Sequence, residues 1–164
     1  MAGQDDILLR VEDLKVHFSQ KKQHLFSQAS HVHAVDGVNF TVPRGKTFGL
    51  VGESGSGKTT TALAVMRLVH ITDGQVFLGD IDIGGLEGED LRRQRRHMQI
   101  IFQDPYSSLN PRVRAGDIVR EPLDQMEVGE VASRDERVGE LFRLVGLRPE
   151  QQALFPHQFS GGQR

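Results

Sequence analysis

Between Gly52 and Thr59 the residue types and their spacing suit one task, holding a chain of phosphates. The run Gly52-Glu53-Ser54-Gly55-Ser56-Gly57-Lys58-Thr59 follows the G-x-x-x-x-G-K-[ST] pattern. Backbone N–H groups must approach the phosphates closely, and a Cβ at Gly52, Gly55 or Gly57 would obstruct them. Lys58 adds a full positive charge, worth on the order of 4 kcal/mol against one phosphate oxygen about 4 Å away at a surface-like dielectric. Thr59 offers a hydroxyl to Mg²⁺, and Thr60 extends the phosphate-contacting set into the helix that follows.

Two further stretches could add ligands. Gln103 ends an apolar run, the place where residues line the crevice of an open α/β sheet, and its neutral side chain could ligate Mg²⁺ or orient a water, with an ordinary surface-loop glutamine as the other reading. Ser160-Gly161-Gly162-Gln163, at the start of a helix, could form a second anion cradle from N–H groups, a hydroxyl and an amide donor, with a plain turn as the other reading. Phe18 offers a ring that could stack on a purine, with plain core packing as the other reading. His24, His31 and His33 match no helical or hairpin ligand spacing, and the segment holding them reads as a solvated loop.

These residues need elements to position them. Thr47–Val51 is a short apolar run that reads as a buried parallel strand entering the phosphate loop. Lys58–Leu68 reads as the helix leaving it, with apolar residues 62, 63, 65, 66 and 69 sharing one face. Upstream, Ile7–Phe18 and Val32–Val42 are rich in strand formers and predict two antiparallel strands, with Ser19–His31 as an exposed loop between them. Pro43-Arg44-Gly45 turns the chain toward the phosphate loop. Downstream, Gln75–Leu78 and Ile81–Ile83 flank Gly79-Asp80 as a hairpin. Gly88–Arg96 reads as a short charged helix whose Arg92-Arg93-Gln94-Arg95-Arg96 cluster forms a solvated face. Met98–Phe102 is a second buried-strand candidate. Beyond it, residues 115–123 and 134–145 predict two helices, the second ended by Gly146, in a block that lacks strand signals.

The 164 residues, 37% apolar and 26% charged, suffice for a real hydrophobic core. The net charge of −2 provides no basic field for a nucleic-acid partner. Cysteine is absent, so disulfides and thiolate metal sites are excluded from these residues. No apolar run approaches the roughly 20 residues of a membrane span, so membrane association would go through a partner.

Taken together, the three motifs resemble the nucleotide-binding subunit of ABC transporters, over nearly the whole length. Gly52–Thr59 resembles the Walker A loop, Gln103 the Q-loop glutamine, and Phe159-Ser160-Gly161-Gly162-Gln163 the signature motif, with Phe159 where many members have Leu. Phe18 matches the place of the family's adenine-stacking aromatic. The wording of residues 101–111 and 155–160 most resembles the dipeptide/oligopeptide importer branch, although importers of other small substrates such as nickel use similar wording, and a non-transport ABC ATPase shares all three motifs.

The resemblance implies an α/β fold: a P-loop NTPase-type core sheet with an N-terminal antiparallel β-subdomain in residues 1–104, and a helical subdomain in residues 105–164 ending in the signature motif. It implies ATP and Mg²⁺ as ligands, with Thr59 and Gln103 at the metal and Ser160, Gly161, Gly162 and Gln163 closing over the ATP of a paired subunit. The implied partners are membrane-spanning permease subunits, a second ATP-binding subunit in a homo- or heterodimer and, indirectly, a periplasmic or extracellular substrate-binding protein. The implied location is the cytoplasmic face of the plasma membrane. The family continues into a Walker B strand with an Mg²⁺-associated Asp and a catalytic Glu. Those parts have no match here, so the expectation is a fragment to which no catalytic residue can be assigned and which does not turn ATP over.

Overall fold

The structure is a computed structural model that describes residues 6–19, 31–104 and 108–164. The exposed loop expected over Ser19–His31 therefore falls almost wholly outside the described residues, as does its His24. The chain divides into two compact units, Met1–Gln99 and Ile100–Arg164.

The first unit is built on an antiparallel sheet. Strands β1 (Ile7–Ser19) and β2 (His31–Pro43) pair along their length, and β3 (Asp73–Leu78) and β4 (Ile81–Asp82) extend the sheet in the order β2-β1-β3-β4. Alternation places Val11, Leu14, Val16, Val35 and Val76 on the buried face, where they pack with Ala64, Ile71 and Ile83. Leu14, Val16, Val76 and Ile83 are fully shielded, and each contributes roughly 1.5–3 kcal/mol of burial. β1 bulges at Asp13, whose φ of 46° breaks the register between Val11 and Leu14. Asn39 Oδ1 accepts the Asp13 N–H at 2.9 Å.

Helix α1 (Lys58–Val65) packs on β1 and β2, and α2 (Gly88–Arg95) tucks Leu91 inward. α1 stops earlier than the apolar run suggests. Arg67 takes a left-handed φ of 55°, so that Leu68 N–H reaches Leu63 C=O and Arg67 N–H reaches Ala64 C=O, the Schellman arrangement that closes a helix. Its buried positions are Thr61 and Ala64, whereas Ala62 is exposed, so the buried face lies to one side of the one the apolar residues predict. In the structure its hydroxyl donates to Gly57 C=O at 3.0 Å, so burying it leaves nothing unpaired. The arginine cluster of α2 is also not all solvated. Arg95 donates to the carbonyls of Met66 and Arg67 at the end of α1, where the helix dipole favours a cation.

Two expected strands are missing. Residues 47–51 and 98–102 are irregular, with Val51 89% and Ile101 96% exposed. A buried parallel strand needs neighbours to satisfy its N–H and C=O groups, and among the described residues neither run has one. Phe48 instead stacks on Phe40 of β2, centroids 4.9 Å apart.

The second unit is helical. Helices α3 (Ala115–Gln125) and α4 (Arg134–Leu144) enclose a small core of Val138, Phe142 and Phe159. The stretch between them contains a 3₁₀ turn, Val131–Ser133. Three more 3₁₀ turns follow α4, at Pro149–Ala153, Pro156–Gln158 and Gly161–Gln163. In each, a glutamine side chain accepts the N–H three residues earlier: Gln151 from Arg148, Gln158 from Phe155 and Gln163 from Ser160. That repeated box satisfies donors the turns leave open.

Candidate functional site

The loop between Val51 and α1 closes on its own lysine. Lys58 Nζ donates to Gly52 C=O at 2.9 Å, to Glu53 C=O at 2.5 Å and to Ser56 Oγ at 3.3 Å. The ammonium is thus held inside the ring formed by residues 52–57. Gly55 and Gly57 have φ of 82° and 86°, a region that strains any L-residue with a side chain. A Cβ on Gly52 would meet Ser56 Oγ at 2.6 Å, so the hydroxyl that Lys58 contacts would have to turn away. Gly57 is required by conformation and by space, because its Cβ would lie 2.3 Å from the backbone Ala34 C=O on β2.

Gly57 also caps α1. Thr61 N–H makes the first bond of the helix, to Gly57 C=O at 2.8 Å, so the N–H groups of Lys58, Thr59 and Thr60 lie ahead of it and point toward the loop. Thr59 is exposed and Thr60 half-buried. Glycine-permitted curvature, a helix N-terminus and an ammonium therefore converge on one place, which is the chemistry of a polyphosphate site. A magnesium ion accompanying such a ligand would find the Thr59 hydroxyl in the first turn of α1.

Phe18 is 44% exposed near the end of β1, paired with Val32. The buried core cluster reaches Val16 and Val35 but does not include Phe18, whose ring is partly accessible from solvent. The loop reading is corrected at His31, which belongs to β2 because the strand begins before the polar residues give way to the apolar alternation; His33, within the expected strand, pairs with His17 of β1.

In the second unit Gln103 is exposed in an irregular segment. Ser160 and Gln163 bond to each other: Gln163 Oε1 accepts both the Ser160 N–H and the Ser160 hydroxyl at 3.1 Å. The expected helix start is a 3₁₀ turn here, and Arg164 N–H already makes an α-type bond to Ser160 C=O at 3.2 Å. Gly161 and Gly162 are exposed. Phe159, the apolar residue before them, is buried among Val138 and Phe142, and Arg164 clasps its carbonyl.

Sequence reasoning missed two supporting residues. Ala34 seats Gly57 through a contact between distant parts of the chain that no local pattern reveals. Arg134 is 8% exposed and donates to Asp124 at 2.7 Å and to the carbonyls of Val128 and Gly129, tying α4 to the loop after α3; its charge made it look like surface.

A family model described as "ABC transporter" matches residues 35–164. The chain is 45% identical over 159 residues to "Probable peptide ABC transporter ATP-binding protein y4tS" of Sinorhizobium fredii, covering 97% of this chain and 45% of that protein. It is 40% identical over 164 residues to "Oligopeptide transport ATP-binding protein AppF" of Bacillus subtilis, covering 99% and 50%. Among solved structures, a dimeric ATP-binding cassette in a post-hydrolysis state bound to ADP and Pi aligns with a TM-score of 0.76 at 25% identity, over 94% of this chain and 64% of that one. The chain spans about half the length of these two relatives.

Proposed function

The chain belongs to the ABC transporter family, and on that premise we propose that it is the ATP-binding part of an importer of di- or oligopeptides. ATP with Mg²⁺ binds at Gly52–Thr60, with Thr59 and Gln103 as metal ligands, and Phe18 stacks on the adenine. Ser160, Gly161, Gly162 and Gln163 contact the nucleotide held by a second ATP-binding subunit. Permease subunits hold the pair at the cytoplasmic face of the membrane, and a substrate-binding protein delivers the peptide to them. The peptide assignment rests on the names of the similar proteins and on the wording around Gln103 and Phe159.

One observation supports this reading most strongly. Lys58 is gathered onto the carbonyls of Gly52 and Glu53, bonds that an incoming phosphate oxygen would replace with stronger charge-assisted ones.

The test is equilibrium binding of a fluorescent ATP analogue with Mg²⁺. Lys58→Ala should weaken binding by roughly 10- to 100-fold, the worth of lost hydrogen bonds to a charged group, while far-UV circular dichroism stays unchanged. Equal binding by the variant and the parent chain would overturn the assignment.

A further inference from the structure

Val16 pairs with Val35, but His17 pairs with His33, so Ala34 is an extra residue in β2. Without that bulge His17 would oppose Ala34; with it, two imidazoles meet across the strands. Their rings stack at 3.9 Å between centroids. Asp36 completes the group, its Oδ1 lying 3.6 Å from His17 Nε2 and its Oδ2 3.7 Å from His33 Nδ1. Those separations are too long for hydrogen bonds. His17 Nε2 is buried, and among the described residues it has no hydrogen-bond partner. A buried polar atom left in that condition costs free energy that a ligand would recover.

We propose that His17, His33 and Asp36 form a binding site for a divalent cation of the zinc class, separate from the Mg²⁺ that accompanies ATP. One ligand atom from each residue lies within 4.8 Å of the others. Tetrahedral bonds of about 2.0–2.1 Å would bring such atoms to roughly 3.3 Å from one another. Binding requires the stacked rings to turn so that both ring nitrogens aim at one ion, and His33 and Asp36 have the freedom to move, with side chains 52% and 62% exposed. Two imidazoles and one carboxylate suit zinc, with the fourth position left to water, whereas Mg²⁺ and Ca²⁺ prefer shells of oxygen alone.

The surroundings leave the site available. Lys15, opposite Asp36 in the strand register, donates instead to Asp13 at 2.9 Å and Asp73 at 3.1 Å. The Thr72 hydroxyl holds the His17 backbone N–H at 2.8 Å, which fixes the strand that presents the imidazole. The two β2 ligands flank Ala34, whose carbonyl seats Gly57 of the phosphate loop. A bound ion would thus clamp the strand on which that loop rests.

The experiment titrates Zn²⁺ into the full 164-residue chain in chelator-free buffer against a chromophoric chelator, with Co²⁺ absorption as a second readout. One ion per chain is expected, with tetrahedral d–d bands for Co²⁺. His33→Ala and Asp36→Asn should each weaken binding at least tenfold, and His70→Ala should leave it unchanged. Asp36→Asn alters one atom of an exposed side chain, so the test survives if His33→Ala fails to fold. Absence of competition with the chelator would overturn the proposal, as would binding that neither variant weakens. Either result would leave the trio as a histidine–aspartate cluster.

Discussion

At Gly57 three demands meet in one residue. It must take a left-handed φ, cap α1, and lie against Ala34 C=O with no room for a Cβ. No other amino acid meets all three. Charge is placed with similar economy in the second unit. Asp124 accepts from Arg134 and Arg120, and Arg120 also reaches Asp135. The Arg134 hydrogen bond, more than the Arg120 one, holds the Asp124 carboxyl below the usual carboxylate range. Asp73 is lowered in the same direction, chiefly by Lys15. A carboxyl depressed in the folded state contributes stability above its unfolded pKa and loses it as pH falls through the folded one. Thermal melts should therefore show the transition falling as pH drops below about 4. Asp124→Asn should destabilise the chain at neutral pH while flattening that acid decline; an equally steep decline in the variant would count against this account.

Three of the four described α-helices share one way of ending. α1, α3 and α4 each close with a left-handed residue after the last turn: Arg67, Glu127 and Gly146. In α3 Val128 N–H reaches Leu123 C=O, and in α4 Leu147 N–H reaches Phe142 C=O. Only α4 uses glycine. A side chain in this conformation costs about 1–2 kcal/mol, and Arg67 offsets the cost by donating to Ile83 C=O and Leu86 C=O at 3.1 Å. Exposed Glu127 has no such role in the cap. Glu127→Gly should accordingly stabilise the chain, by about 0.5–1 kcal/mol in urea denaturation, once the greater unfolded-state freedom of glycine is subtracted. Gly146→Ala should destabilise it by about 1 kcal/mol. The reverse order would show that these ends are not limiting.

Across the whole molecule, the most conspicuous property is apolar surface on segments whose composition belongs inside a sheet. Val51, Ile101 and Phe102 are 89%, 96% and 52% exposed, and Leu144 and Val145 lie along an open apolar groove of about 650 Å³ bounded by α3, α4 and the Gly161–Gln163 turn. Surface of this kind binds amphiphilic dyes. The purified chain should raise anilinonaphthalene sulfonate fluorescence under native conditions, and Val51→Thr with Ile101→Thr should reduce the signal. A chain that gave no enhancement would have these segments covered. The sequence alone determined the glycine-rich loop that leads into α1, the two long strands, the β3–β4 hairpin, and α3 and α4, because each is encoded by local spacing: glycine positions, alternation, helix ends. Only the tertiary structure decided the rest. Whether residues 47–51 and 98–102 become strands depends on neighbours that supply hydrogen bonds, and a run of apolar residues does not specify those. Likewise, the pairing of His17 with His33 depends on one extra residue in β2, a shift of register visible only when both strands are laid side by side.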